Sequence, residues 1–239
     1  MAVADNCHSL FFQTLTMDQL KKPLESSNIR SENPDGQLQA FRSQMNPHFL
    51  FNALNAIQFY ITTSDKKSAL SHLSTFGKLI RFHFNHIDKD TVLLKDEIRM
   101  LNWYFSLQKL RYTHQFNYDI ITQNEPGFEE ARIPSFLLQT LFENTIEHAI
   151  YNQYKNYRIE VSFSVDRQTV SVDIVFTHDP ELEDTIECTP EYREKMMLWQ
   201  DQIQLLNVAK NYDIRKTITL NNNPYSEGGN VSITLPNLS

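Results

Sequence analysis

The sequence predicts an α+β fold, in which a helical module precedes a domain of mixed strands and helices. Apolar residues recur every three or four positions up to about residue 112, which is the period of helices with one buried face. Beyond that point, segments of alternating apolar and polar residues lie between two further helical segments. Such alternation is typical of half-buried strands.

The helical module follows a turn-forming run, Ser-Glu-Asn-Pro-Asp-Gly at residues 31–36. We interpret residues 1–36 as an N-terminal segment or linker. Helical spacing then extends from Leu38 to Ile61 and includes Pro47, whose missing backbone N–H favours a kink.

Two more helices complete the module. The run from Thr62 to Asp65 ends the first helix and offers an N-cap for a second one near residues 66–84. A third helix is expected from about Lys95 to Tyr112. The inward stripe predicted for the second helix is Ala69, Leu70, Leu73, Phe76, Leu79, Ile80 and His83.

The second half begins with a strand at Phe116 to Ile120 and a helix whose first turn suits Pro134. The other expected elements are a β-hairpin turning at 166–168, a helix near 191–211, and a strand pair at 217–220 and 231–235. The domains predicted from this layout are 37–112, the helical module, and 113–239, the α/β layer domain.

Composition restricts the function. The formal net charge of −7 argues against a general nucleic-acid binder, which needs a basic surface. No segment reaches the roughly 18 consecutive apolar residues that a membrane span needs. Cys7 and Cys188 match no metal or redox spacing and fit a reducing compartment. We therefore expect a cytoplasmic protein that does not contact nucleic acid directly.

The stretch from Gln44 to Asn55 reads Gln-Met-Asn-Pro-His-Phe-Leu-Phe-Asn-Ala-Leu-Asn. A lone histidine in a helix is usually an ordinary surface or core residue. This run, however, resembles the phosphoacceptor segment of LytS-type sensor histidine kinases at every fixed position. The resemblance implies that His48 accepts the γ-phosphoryl group of ATP.

The likeness covers about residues 40–236 and weakens after residue 165. It implies a homodimer formed by paired helices, a response-regulator receiver domain as partner, and a role in a two-component phosphorelay. It also implies work at the inner face of the membrane, through a sensor subunit or a membrane segment that this chain lacks.

Residues 133–150 resemble the N box of the GHKL (Bergerat-type) ATP-binding fold, an α/β sandwich. The resemblance implies that Asn144 holds Mg²⁺ through its side-chain carbonyl, with Glu143 near the phosphates and His148 keeping the family's histidine. Asn144 could instead be a core amide with satisfied hydrogen bonds. Glu147 departs from the family, which usually has a cation there.

Two of the three glycine-dependent contacts of the family's nucleotide pocket are missing, whereas Gly228 and Gly229 resemble the family's final glycine turn. Where the family shows Asp-x-Gly-x-Gly, this chain has Thr-His-Asp-Pro-Glu-Leu at 177–182, so Asp179 is an offset candidate for the adenine contact. Residues 192–199 contain no glycine, although phosphate binding at a helix start relies on free backbone N–H groups. The acidic residues between 181 and 187 would also repel ATP.

Three interpretations remain open. The chain is an active ATP-dependent histidine autokinase, or a signalling protein of this fold with impaired or lost ATP binding, or an unrelated α+β protein. We favour the second, a pseudokinase or phosphotransfer scaffold, because phosphoryl transfer depends on positioning and charge neutralisation that the missing glycines and Glu147 undermine. Whether it is an enzyme stays open: the resemblance implies a protein-histidine kinase, and the pocket argues against one.

Overall fold

The computed structural model describes residues 47–63, 65–111, 116–122, 126–179, 190–223 and 226–239. Its helical part contains α1 (Pro47–Thr62), α2 (Lys66–His86), the short strand β1 (Thr91–Leu93) and α3 (Leu94–Arg111). The elements that follow are β2 (Phe116–Thr122), β3 (Arg132–Pro134), α4 (Leu137–Tyr151), β4 (Tyr157–Val165), β5 (Thr169–His178), α5 (Pro190–Ala209), β6 (Arg215–Asn223) and β7 (Ser226–Pro236). This order confirms the predicted α+β class. The N-terminal segment 1–36, the predicted helix start at Leu38 and the acidic run at 181–187 lie outside the described residues.

The three helices form where the apolar spacing predicts them. Asp65 caps α2, because its carboxylate accepts a hydrogen bond from the Ser68 backbone N–H at 3.1 Å. On α1, Phe49, Ala53 and Ile57 are buried at four-residue spacing. The predicted α2 stripe is only partly correct. Leu70 and Leu73 are 68% and 48% exposed, whereas Ala69, Leu79 and His83 are buried.

A five-stranded sheet has the order β2-β4-β5-β7-β6. β2 pairs with β4 in parallel, and each of the remaining neighbours pairs in antiparallel fashion. The hairpin predicted around residues 166–168 joins β4 to β5, and β6 and β7 are longer than the sequence predicted. The strands alternate as expected, so that one face of the sheet carries Ile159, Val161, Val172, Ile174, Val231 and Ile233, all buried.

One hydrophobic core joins the helices to this face of the sheet. Phe105 of α3 is fully buried, and its ring centroid lies 4.9 Å from that of Phe142 on α4 in an edge-to-face arrangement. The same ring lies 5.0 Å from Tyr118 on β2. The core therefore crosses the predicted boundary near residue 112, and the division into domains stays a prediction.

A two-stranded antiparallel ribbon of β1 and β3 was not predicted from the sequence. Pro134 pairs with Thr91 in this ribbon, so its predicted place in the first turn of a helix is wrong. The chain reverses at Phe136, whose φ of 63° is left-handed, and α4 begins at Leu137. Three residues in strands are too few to show a period of two, which is why alternation missed them.

None of the helices in the described ranges is long and apolar enough to cross a membrane.

We expect Gly228→Ala to lower the free energy of unfolding by about 2–4 kcal/mol. Gly228 lies in β7 beside β5, and a Cβ there would stand 1.8 Å from the backbone oxygen of Phe176. Because that oxygen is held in the sheet, it cannot move away from the added Cβ. The strands β5 and β7 would therefore have to separate. Urea unfolding followed by circular dichroism measures the loss.

Gly77→Ala is the matched control for this substitution. Gly77 lies inside α2, and, apart from its chain neighbours and the adjacent helix backbone, no atom of the described residues lies within 4 Å of the Cβ that it would gain. Because alanine has the higher helix propensity, this variant should be about 0.5–1 kcal/mol more stable than the parent. Equal stability of the two variants would contradict the close approach of β5 and β7.

Candidate functional site

The candidate site lies where α4 meets α5, with the end of β5 beside it. Three of the site residues predicted from sequence, Glu143, Asn144 and His148, are on α4, and Asp179 follows β5 directly. His48 occupies the second position of the described part of α1, and its side chain lies outside the described residues.

Asn144 is 5% exposed and lies beneath α5. Its side-chain Nδ2 donates a hydrogen bond to the backbone oxygen of Lys195 at 3.2 Å. The amide thus ties the middle of α4 to the first half of α5. A water-ligated cation at this position would have to displace that helix.

Glu147 forms an ion pair with Lys195, with 2.5 Å between Oε2 and Nζ. The glutamate side chain is 16% exposed and the lysine side chain 43%. From the sequence, Glu147 was expected only to repel phosphate, and Lys195 was not predicted as a residue of the site. No sequence signal joined two residues 48 positions apart, because their contact depends on how the two helices pack.

Glu143 is buried and accepts a hydrogen bond from Gln139 Nε2 at 2.7 Å. Burial raises the pKa of the Glu143 carboxyl to about 7, against the opposing hydrogen bond from Gln139. The nearby Glu147 charge raises the pKa further, and Lys195 lowers it. The site therefore holds a carboxyl group that changes charge near neutral pH.

His148 is enclosed by aromatic rings. The Tyr192 ring on α5 lies 4.1 Å away, tilted by 32°, and the Tyr154 ring lies 5.8 Å away, edge-on. The His148 Nε2 is 3.2 Å from the Asn152 side-chain nitrogen. This histidine therefore takes part in the packing between α4 and α5.

The end of β5 reaches the same cluster through Tyr154. The buried His178 ring stacks on Tyr154 at 4.0 Å and 6°. The Asp179 carboxylate accepts a hydrogen bond from Asn156 Nδ2 at 2.7 Å, and the Asp179 N–H donates to Lys155 O. Tyr154 thus connects His148 to the strand end that carries Asp179.

The part of the chain that the structure describes contains no group of three His, Cys, Asp or Glu side chains able to hold a metal ion.

Comparison with known proteins shows that the helical part is similar to histidine kinases. Residues 36–116 match the family model "Histidine kinase". The chain is 32% identical over 140 residues to the sensor protein LytS of Staphylococcus epidermidis. The matched region covers 59% of this chain and 23% of that protein. It is 31% identical over 130 residues to the sensor histidine kinase/phosphatase LytS of Staphylococcus aureus, covering 54% and 21%. The matches thus span about a quarter of these relatives' length.

Among solved structures, the histidine kinase AdeS of Acinetobacter baumannii is similar with a TM-score of 0.41 and 11% sequence identity. That match covers 86% of this chain and 94% of that one.

The raised pKa of Glu143 predicts a pH dependence of stability. In the unfolded chain the carboxyl ionises near its ordinary pKa of 4.5, whereas the folded chain keeps it protonated up to about pH 7. Between these values the folded state binds the extra proton, so stability falls as the pH rises from 4.5 to 7. The effect reaches about 3 kcal/mol above pH 7, as an upper limit.

Glu143→Gln isolates this contribution, since glutamine keeps an acceptor for Gln139. The variant and the parent should have similar stability at pH 4.5, and the variant should be the more stable at pH 8. Glu97, whose pKa burial raises to about 8, adds the same trend to both proteins and cancels in the difference. A difference in urea midpoint that does not change with pH would contradict the assignment.

Proposed function

Because the chain belongs to the LytS-type histidine kinases, we propose that it is a two-component signalling protein with His48 as phosphoacceptor and with impaired or lost ATP binding. The family match at residues 36–116 includes His48, and the run from Gln44 to Asn55 supports its role. We also propose a response-regulator receiver domain as the partner that takes the phosphoryl group. A cytoplasmic location near a membrane sensor is part of the same proposal.

The loss of ATP binding is supported by one observation above all, the engagement of α4 with α5. Asn144, which the resemblance assigns to Mg²⁺, is buried and bonded to the Lys195 backbone oxygen. Magnesium keeps several water ligands and needs room for them. The residues present therefore do not fit a hydrated magnesium ion beneath α5.

The charges of the site also oppose a triphosphate. Lys195 is paired with Glu147, and the Glu143 carboxyl beside them becomes a second negative charge above about pH 7. Phosphates are commonly bound by the free N–H groups of a glycine-rich loop at a helix start. Here the corresponding turns of α5 carry bulky side chains, of which Tyr192 and Trp199 are buried. Lys195, the cation of this site that faces α4, is therefore already paired, and residues 192–199 offer a phosphate no glycine-rich backbone.

Dimer formation is supported by apolar side chains that α1 and α2 expose. On each helix three of these residues lie three, seven or eleven positions apart, so that they share one face of the helix, as in helices that pair along a seam. These residues are Phe51, Leu54 and Ile61 on α1 and Leu70, Leu73 and Phe84 on α2, with exposed fractions from 43% to 68%. Phe59 on α1 is exposed as well, at 62%. We propose that these faces meet their counterparts in a second copy.

Calorimetric titration with MgATP tests the nucleotide proposal. We expect no binding tighter than about 1 mM, because the polar groups of α4 are occupied by α5. The core of a LytS kinase that matches this chain serves as the positive control, run under the same conditions.

Micromolar binding that Asn144→Ala abolishes and Asn102→Ala preserves would overturn this proposal. Asn102 is an exposed asparagine on α3 whose side-chain Nδ2 donates to the Ile98 oxygen of the same helix, so it controls for the loss of an amide. Binding of that kind would favour the active autokinase, and transfer of labelled γ-phosphate to His48, lost in His48→Gln, would then establish it.

Sedimentation equilibrium tests the dimer. Phe51→Glu and Leu70→Glu should each weaken self-association by at least about tenfold, since a charge would be buried in an apolar seam. Val208→Glu is the control, because Val208 is 83% exposed on α5 and belongs to neither helix of the proposed seam. A parent chain that stays monomeric, or variants that associate as the parent does, would refute the seam.

A further inference from the structure

A cavity of about 160 Å³ lies under the C-terminal end of α4, beside the sheet edge formed by β2. Three aromatic rings contribute to its wall, those of Phe116, Tyr154 and Tyr157. The side chains that the resemblance assigns to the nucleotide, Asn144 and His148, do not line it. The cavity is therefore separate from the site between α4 and α5.

The rings in the wall are arranged as a layer. Phe116 on β2 and Tyr157 on β4 lie 6.0 Å apart and within 24° of parallel. Tyr157 continues the row to Phe176 on β5 at an angle of 9°. A row of nearly parallel rings offers flat faces against which another flat ring can stack.

The opposite wall is aliphatic, and the rim carries one amide. Ile146, Ala149 and Ile150 of α4 supply the aliphatic surface, and Gln153 is an exposed residue with a left-handed φ of 54° just after the helix. Every lining residue is uncharged. The lining thus disfavours an ion, whose desolvation no partner would offset.

We propose that this cavity binds a small, neutral, planar aromatic molecule of one or two rings, with a polar group directed to Gln153. The volume supports this size, because an apolar protein cavity of roughly 150 Å³ holds a benzene molecule. Stacking on the aromatic layer favours a flat ring over a saturated one of equal volume. The single amide at the rim favours one hydrogen-bonding group, as phenol and indole possess.

Tyr154 gives the bound molecule a route to the candidate site. One side of Tyr154 contributes to the cavity wall, and its ring also stacks on His178 and meets His148 edge-on. A ligand that moves Tyr154 therefore changes the surroundings of both histidine rings. This contact supplies a second readout of binding that does not require any activity.

The experiment follows the isoleucine methyl groups of the full chain by NMR while phenol or indole is added. Ring currents of a stacked aromatic ligand should shift the methyl signals of Ile146 and Ile150, whereas Ile233 on β7 should stay in place. The histidine ring signals of His178 should shift with the same concentration dependence. We expect a dissociation constant of about 1 mM or lower.

Ala149→Phe fills the cavity and should abolish the shifts, while Val208→Phe adds the same ring on the exposed side of α5 and should keep them. If circular dichroism shows that Ala149→Phe does not fold, Ala149→Leu is used, and it should weaken binding about tenfold. Benzoate should not bind because of its charge, and cyclohexanol should bind less tightly than phenol.

The proposal is overturned if Ile146 and Ile150 do not shift up to the solubility limit of both aromatic probes. Shifts that survive in the cavity-filling variant would also overturn it, because the probes would then bind elsewhere. Equal binding of benzoate and phenol would contradict the class of ligand.

Discussion

Two hydrogen bonds from side chains to backbone oxygens, one in each direction, fix α5 against α4. The indole N–H of Trp199 on α5 donates to the Leu137 oxygen at the start of α4 at 3.0 Å. The Asn144 amide on α4 donates to the Lys195 oxygen on α5. An apolar contact between helices tolerates sliding, whereas these two bonds specify one axial register, since either donor would be left buried and unpaired in another. The positions of Glu147, His148 and Tyr192 depend on that register.

Because of this register, the polar groups of α4 stabilise its packing against α5. A ligand site requires donors and acceptors that solvent occupies when the ligand is absent. Here the amide and the carboxylate that α4 directs at its neighbour already have partners on α5. The change from the family's cation to Glu147 is thus matched by Lys195 on the facing helix. Packing against α5 thus occupies Asn144, the side chain that the resemblance assigns to Mg²⁺.

The sequence was sufficient for elements with strong local signals. The capping of α2 by Asp65, the hairpin of β4 and β5, and the order of helices and strands all follow from period and turn chemistry. Grouping Glu143, Asn144 and His148 needed only their spacing on one helix. The β1–β3 ribbon and the Glu147–Lys195 pair could not be predicted, because each joins residues at least 39 positions apart in the chain. Leu70 was assigned to the core since helical period shows an apolar face without saying what covers it.

Phe105 has a consequence for how the molecule unfolds. This residue lies on the last helix of the N-terminal module, yet its ring is enclosed by β2 and α4. Neither half of the chain can lose its structure without exposing apolar surface of the other. The described core should therefore behave as one cooperative unit, in which protection of backbone amides from hydrogen exchange is shared between α3 and the sheet. If a rearrangement separated other helices from the sheet, α3 would remain packed against the strands.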